Sequence, residues 1–267
     1  MADDDLRDAT VLITGGTRGI GAGIARGFLR AGADVVVCGR REPQGPVAAD
    51  GRAATFIGAD VRDPAQVDRL VTATVEATGR LDVVVNNAGG TPHTDATTTS
   101  PDLHQKIILL NLIAPLHVSQ RANQVMQAQD GGGSIIMIGS VSGVRPSPGT
   151  AAYGAAKAGL HHLAVCLAVE WAPKVRVNNV VIGLAETELA HLHYGDAAGV
   201  AAVAATVPLG RMATPGDVAA ACLFLASSRS SYMSGASLLL HGGGELPAFL
   251  AAANVQHPGQ GPTSSRP

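Results

Sequence analysis

Val11-Leu12-Ile13-Thr14-Gly15-Gly16-Thr17-Arg18-Gly19-Ile20-Gly21 is the stretch on which the reading of this chain turns. Three apolar residues make a short buried strand, the glycines turn the chain, and a helical pattern runs to Ala31, where Gly32 ends it. A glycine-rich turn between strand and helix lets backbone N–H groups approach an anion at the helix N-terminus. That suits the pyrophosphate of a dinucleotide. The spacing Gly-x-x-x-Gly-x-Gly departs from the more common Gly-x-Gly-x-x-Gly. A tight turn without any ligand is the competing reading.

Outward from that turn, apolar runs alternate with helical patterns from Thr10 to about His241. Further strands are expected at Val35-Val36-Val37, Phe56-Ile57, Leu81 to Val85, Ser134 to Ile138, Val175 to Val181 and Leu238 to Leu240. Asp63-Pro64 reads as an N-cap and first-turn proline opening a helix to about Thr78. A long helix is expected from about Pro101 to Gln129, and another, carrying Tyr153, runs to Trp171 before Pro173. Thr214-Pro215-Gly216-Asp217 caps a helix ending near Ser227. The alternation predicts an α/β fold: one Rossmann-like, doubly wound parallel sheet of about seven strands with helices on both faces. The domain spans 1–253, and the Pro/Gly/Ser/Gln-rich tail 254–267 is expected to be disordered. Pro43, Gly45, Pro46 and Gly51 argue against a full helix between the second and third strands. Residues 184–212 form a long insert of the kind that serves as a binding loop or lid.

Composition narrows the function classes. The chain has 267 residues, enough for one domain with a large core. Hydrophobic residues are 46% and aromatics only 3%, which suits a sheet covered on both faces by close-packed Ala/Val-rich helices. A formal charge of −2 without a basic run speaks against nucleic acid as a partner. Cys38, Cys166 and Cys222 lie in apolar stretches and read as reduced thiols of a cytoplasmic protein. The acidic Met1-Ala2-Asp3-Asp4-Asp5 is no signal peptide, and no apolar run reaches the roughly 18 residues a membrane span needs. Arginine far outnumbers lysine, which points to a GC-rich, bacterial source.

Tyr153 and Lys157 carry the chemistry. Positions i and i+4 share a helix face, and an ammonium beside a phenol is expected to lower the phenol pKa from about 10. Such a pair shuttles protons in carbonyl and alcohol chemistry; the competing reading is an ordinary surface helix pair. A place for a hydride-carrying dinucleotide and a proton shuttle in one chain suggest an oxidoreductase. Metal is not expected: His191 and His193 flank Leu192 without carboxylate or cysteine ligands at the usual spacing.

At Thr14 to Gly21, Asp60-Val61, Asn86-Asn87-Ala88-Gly89, Asn111, Ser140 and Tyr153-x-x-x-Lys157, taken in order, the chain resembles the short-chain dehydrogenase/reductase family, over residues 8 to 245. Pro208-Leu209-Gly210-Arg211 and the Thr214 to Ala219 segment look like members that reduce 3-oxoacyl groups or oxidise secondary alcohols. The resemblance implies that Tyr153 is the acid and base, that Lys157 holds the nicotinamide ribose and that Ser140 orients the substrate oxygen. It also implies that Asn111 holds a water in a proton relay. Cofactor contacts would come from Gly15, Thr17, Arg18, Gly19, Ile20, Gly21, Asp60, Val61, Asn87, Ala88, Gly89, Ile182 and Thr187. At the end of the second strand, Gly39, Arg40 and Arg41 replace the acidic residue of NAD-preferring members, so NADP(H) is favoured, with NAD(H) the alternative. The substrate pocket would include His93, Ser142, Arg145, Leu184, Leu189, His193 and Tyr194. Arg145 is read as a surface salt bridge first and as a substrate-anion contact second. His241, where many members carry aspartate, reads as a structural substitute first, and Ile182 replaces a common proline. The resemblance implies a hydrophobic ketone or secondary-alcohol substrate and a homotetramer or homodimer. A catabolic NAD-dependent dehydrogenase and a non-catalytic dinucleotide sensor are the alternatives. An enoyl reductase is disfavoured, because those relatives separate tyrosine and lysine further.

Overall fold

The computed structural model describes residues 6–188 and 190–249, so the tail 254–267 and Leu189 lie outside the described residues. Strands are β1 Thr10–Thr14, β2 Asp34–Gly39, β3 Ala48–Ala49, β4 Arg52–Ala53, β5 Thr55–Gly58, β6 Val83–Asn86, β7 Gly133–Ser140, β8 Val175–Ile182 and β9 Ser237–Leu240. Helices are α1 Gly19–Arg30, α2 Pro64–Thr78, α3 Pro101–Ile108, α4 Ala114–Ala128, α5 Ala151–Glu170, α6 His191–Tyr194, α7 Ala197–Ala205 and α8 Pro215–Ala226. Seven strands pair in parallel in the order β5-β2-β1-β6-β7-β8-β9.

Alternation along each strand sorts the core into two layers. Val11, Ile13, Val35, Val37, Ile136 and Ile138 face α1 and α8, meeting Ile24, Phe28, Val218 and Cys222. Leu12, Val36, Val84, Ile135 and Met137 face the other way, onto Leu70, Val118, Met126, Leu160 and Leu167 of α2, α4 and α5. Each such side chain taken out of water contributes about 1.5–3 kcal/mol. The helices start as the sequence predicts. Asp63 accepts from Ala65 and Gln66 N–H ahead of Pro64, and Thr214 and Asp217 close a capping box ahead of α8.

As Pro43, Gly45, Pro46 and Gly51 predict, the connector after Glu42 holds no helix; it forms a small antiparallel hairpin, β3–β4. The structure differs from the sequence expectation in two places. The helix expected from Pro101 to Gln129 is interrupted by a π turn at Leu109–Ile113, where the Ala114 N–H reaches back five residues to Leu109 O. The 184–212 insert is not a bare loop. Its stem is an Ala185–Ala213 bridge, with Ala213 N–H donating to Leu184 O and Glu186 N–H to Ala213 O, both at 2.9 Å, and it carries α6 and α7.

Candidate active site

The carboxyl ends of β1, β6, β7 and β8 meet where the sheet order reverses, the crevice in which open α/β sheets bind ligands. At β1, Gly15 turns the chain at φ 62°. A side chain on Gly21 would place its Cβ 2.3 Å from Gly15 O, so only glycine lets α1 begin this close to the turn. Thr14 Oγ1 accepts from the Asn87 and Ala88 N–H groups, each at 3.0 Å, and Asn87 Nδ2 donates to Thr14 O and Gly15 O at 2.9 and 3.0 Å. These bonds stitch the glycine loop to the end of β6. The α1 N-cap, Arg18, offers no side-chain cap. The Gly19 N–H donates instead to Glu188 Oε1 at 2.9 Å. An anionic oxygen thus already sits on this helix N-terminus, which fits a phosphate oxygen there.

Asn111 is fully buried in the π turn. Its Oδ1 accepts from the Gly90 N–H, and its Nδ2 donates to Gly90 O and Ile107 O, all at 2.9 Å. Its carboxamide therefore locks the loop after β6, and Gly89 leaves room for it beside Lys157 Nζ.

β7 is longer than expected, and Ser140 is its last residue. Ser140 Oγ accepts from the Ser142 N–H at 3.1 Å and lies close enough to the Tyr153 phenol to draw its pKa down, whereas Ser142 Oγ turns away to Ser147 Oγ at 3.2 Å. The serine thirteen residues before Tyr153, not Ser142, is thus the one brought to the tyrosine. Lys157, 4% exposed, donates to Ile138 O at 2.7 Å, with Nζ 5.6 Å from the centre of the Tyr153 ring. One turn further along α5, His161 Nε2 accepts from the Ser140 N–H at 3.3 Å. The expectation that Lys157 lowers the phenol pKa is corrected. Burial pushes the Tyr153 pKa above its usual 10, with only the Ser140 hydroxyl acting downward. Burial also pushes Lys157 down to about 8. The Lys157 ammonium lies over the ring and donates to a backbone carbonyl, and burial, not its charge, sets the direction of the phenol shift.

The rim gathers most of the expected substrate residues. His93 packs on Gly149, while the Thr94 N–H donates to Gly149 O at 2.7 Å, so the 91–95 and 145–150 loops are strapped together. Arg145 donates to Glu245, and Tyr194 lies near both. Burial and the Glu245 charge raise the Tyr194 pKa, and Arg145 opposes them. His193 is exposed, with its ring centre 6.2 Å from that of Tyr194. Ile182 ends β8, buried, and Leu184 and Thr187 follow it in the insert stem, half-buried. His241 packs on Gly183, where a Cβ would stand 2.7 Å from the His241 Cβ.

A protein family described as enoyl-(acyl carrier protein) reductase matches residues 15–245. The chain is 36% identical to an L-rhamnose 1-dehydrogenase (NAD(P)(+)) of Azotobacter vinelandii over 89% of this chain and 97% of that one. It is 35% identical to 3beta-hydroxysteroid dehydrogenase 1 of Eggerthella lenta, over 90% and 95%. The solved aldohexose dehydrogenase of Thermoplasma acidophilum superposes with a TM-score of 0.84 at 28% identity, covering 96% of this chain and 99% of that one. The chain belongs to the short-chain dehydrogenase/reductase family. It is an NAD(P)-dependent oxidoreductase acting on CH–OH groups.

Among short-chain dehydrogenases/reductases the end of β2 meets the adenosine ribose. In this chain that end is Gly39, half-buried against Thr17, followed by exposed Arg40 and Arg41, with exposed Arg18 in the glycine loop. Asp60, after β5, is gripped by Arg62, with Nε to Oδ1 at 2.9 Å. That bond first, and the Arg40 charge least, hold its carboxyl below the usual range, and Val61 beside it is buried. Two residues at the site were missed from sequence. His161 continues the Tyr153-Lys157 series at i+8, a spacing that was legible. Glu188 carried no signal, because its contact with Gly19 spans 169 residues.

Proposed function

We propose that this enzyme prefers NADP(H) and moves a hydride between the nicotinamide and a ketone or secondary alcohol of hydrophobic kind: 3-oxoacyl-like, alicyclic or steroid-like. The observation that carries the reading is the convergence of two hydroxyls, Ser140 and Tyr153, beside a buried ammonium at the end of β7. When bound, the cofactor supplies or accepts the hydride at the carbonyl carbon. Ser140 donates to the substrate oxygen and Tyr153 hands it a proton in reduction or takes one in oxidation, stabilising the charge that develops there. Burial pushes the Tyr153 phenol pKa up, which favours the protonated form that the acid role needs. Lys157 holds the nicotinamide ribose, and Asn111 anchors the water that refills the proton. Gly15, Thr17, Gly19, Ile20 and Gly21 cradle the pyrophosphate. Asp60 and Val61 flank the adenine, Asn87 to Gly89 support the ribose, and Ile182 and Thr187 hold the carboxamide.

Arg18, Arg40 and Arg41 supply guanidinium groups for a 2′-phosphate, and the missing acid at Gly39 removes the repulsion that selects NAD. The Arg145–Glu245 pair favours an uncharged substrate, since the rim's cation is already matched. The sugar-named relatives favour a second reading: oxidation of a neutral polyhydroxylated ring. Exposed Val165 and Val169 on the outer face of α5 support a homo-oligomer, a tetramer or a dimer. Parallel titrations with NADPH and NADH test the cofactor assignment. NADPH binding tighter by about tenfold, some 1.4 kcal/mol, is expected. Equal or tighter NADH binding refutes it.

A further inference from the structure

We propose that His161 is a positioning residue whose neutral ring holds the Ser140 backbone in place, and that its protonation disarms the site. The inference rests on the reading of Ser140 as the donor to the substrate oxygen. Because Nε2 accepts from the Ser140 N–H at 3.3 Å, Nε2 carries no proton and Nδ1 does. The ring fills space that two glycines leave open on either side of Ser140. A Cβ on Gly139 would lie 2.4 Å from Nε2, and one on Gly143 would lie 2.9 Å from Cε1. Tyr153, Lys157 and His161 form an i, i+4, i+8 stripe on α5. Lys157 donates to Ile138 O while His161 accepts from the Ser140 N–H. One helix face thus grips the chain on both sides of Gly139, through opposite hydrogen-bond polarities.

A proton added at Nε2 turns the acceptor into a donor aimed at a donor, and Ser140 must move. The groups that meet His161, at its ring or its backbone, come from three other elements. They are Gly139 and Ser140 of β7, Gly143 of the 3₁₀ turn Val141–Gly143, and Asn179 of β8, whose Nδ2 donates to His161 O at 3.3 Å. On α5 itself, Lys157 is the charge that bears on the ring. Burial first and that charge second hold the imidazole pKa below its ordinary 6.5, keeping the acceptor in place at neutral pH.

The test is an NMR pH titration of the full chain with the Ser140 amide and the His161 imidazole as probes. In wild type, Nε2 should be the unprotonated nitrogen at neutral pH, and the Ser140 amide should shift with the imidazole midpoint. His161→Gln keeps an acceptor that does not titrate, so the Ser140 amide stays hydrogen-bonded and its shift with pH disappears. His161→Leu loses the bond. A Ser140 amide indifferent to the His161 titration, or a proton found on Nε2, overturns the inference. For turnover, NADPH-dependent reduction of cyclohexane-1,2-dione serves as probe. His161→Leu should lower kcat about tenfold with KM little changed, as misplacement of one donor predicts. His161→Gln should recover most of it and lose the acid limb of the pH profile. Gln and Leu variants with equal deficits also overturn the inference. Failure of wild type to turn over the dione counts against the functional reading, while the NMR result alone decides the role of His161.

Discussion

Glu188→Gln is expected to tighten cofactor binding, although the residue it removes lies in the binding crevice. The Glu188 carboxylate accepts from the Gly19 N–H at 2.9 Å, at the first residue of α1. A negative charge at a solvent-accessible helix N-terminus is worth about 0.3–1 kcal/mol. A pyrophosphate oxygen that takes the same N–H must first displace that charge, and the displaced carboxylate then stands near another anion. Removing the charge while keeping the side chain's shape should therefore lower Kd roughly two- to fivefold. Fluorescence titration with NADPH and with NADH is the assay. Both should tighten by the same factor, because the pyrophosphate is common to them. The advantage should shrink as salt screens the exposed charge. Unchanged or weaker binding of both cofactors would refute the competition argument. A gain confined to NADPH would show that Glu188 acts on the 2′-phosphate instead.

Tyr153→Phe should lower kcat/KM by about 10²–10⁴ while NADPH affinity stays near wild type, measured by steady-state kinetics beside a binding titration. Loss of cofactor binding would instead mark Tyr153 as a structural residue. Asp217→Ala should destabilise the fold by about 1 kcal/mol at pH 7 through loss of the α8 capping box, read from urea denaturation. Hydrogen bonds from Arg211 first, and from Thr214, hold the Asp217 pKa well below that of a free carboxyl. The stabilisation is therefore present above the unfolded-state value of about 3.9 and is lost as pH falls through the depressed native value. The gap between wild type and variant should close in strong acid, and a gap constant down to pH 2 would contradict this.

The parallel sheet was legible in sequence because its signals are local: apolar triplets, caps at Asp63 and Thr214, and glycine turns. Tyr153, Lys157 and Ser140 were legible for the same reason, since helix period and strand end bring them together. The π turn at Asn111 was not. It leaves no mark in hydrophobic periodicity, and the bonds around it, from Asn111 to Gly90, are tertiary. The phenol pKa was misjudged because charge pairing shows in a sequence and desolvation does not. The helices of the 184–212 insert were hidden by a run of alanines whose α7 buries no residue, so amphipathic spacing had nothing to report.

The insert is closed at its base by the Ala185–Ala213 pairing, and α7 lends no side chain to either core layer. α7 can therefore be exchanged for another segment of similar span with little effect on the sheet's stability. Ser140, Tyr153 and Lys157 are borne by β7 and α5 and would keep their places through such a graft. Where such an insert lines a substrate pocket, as the sequence reading expects of residues 184–212, selection can edit that wall without redrafting the fold.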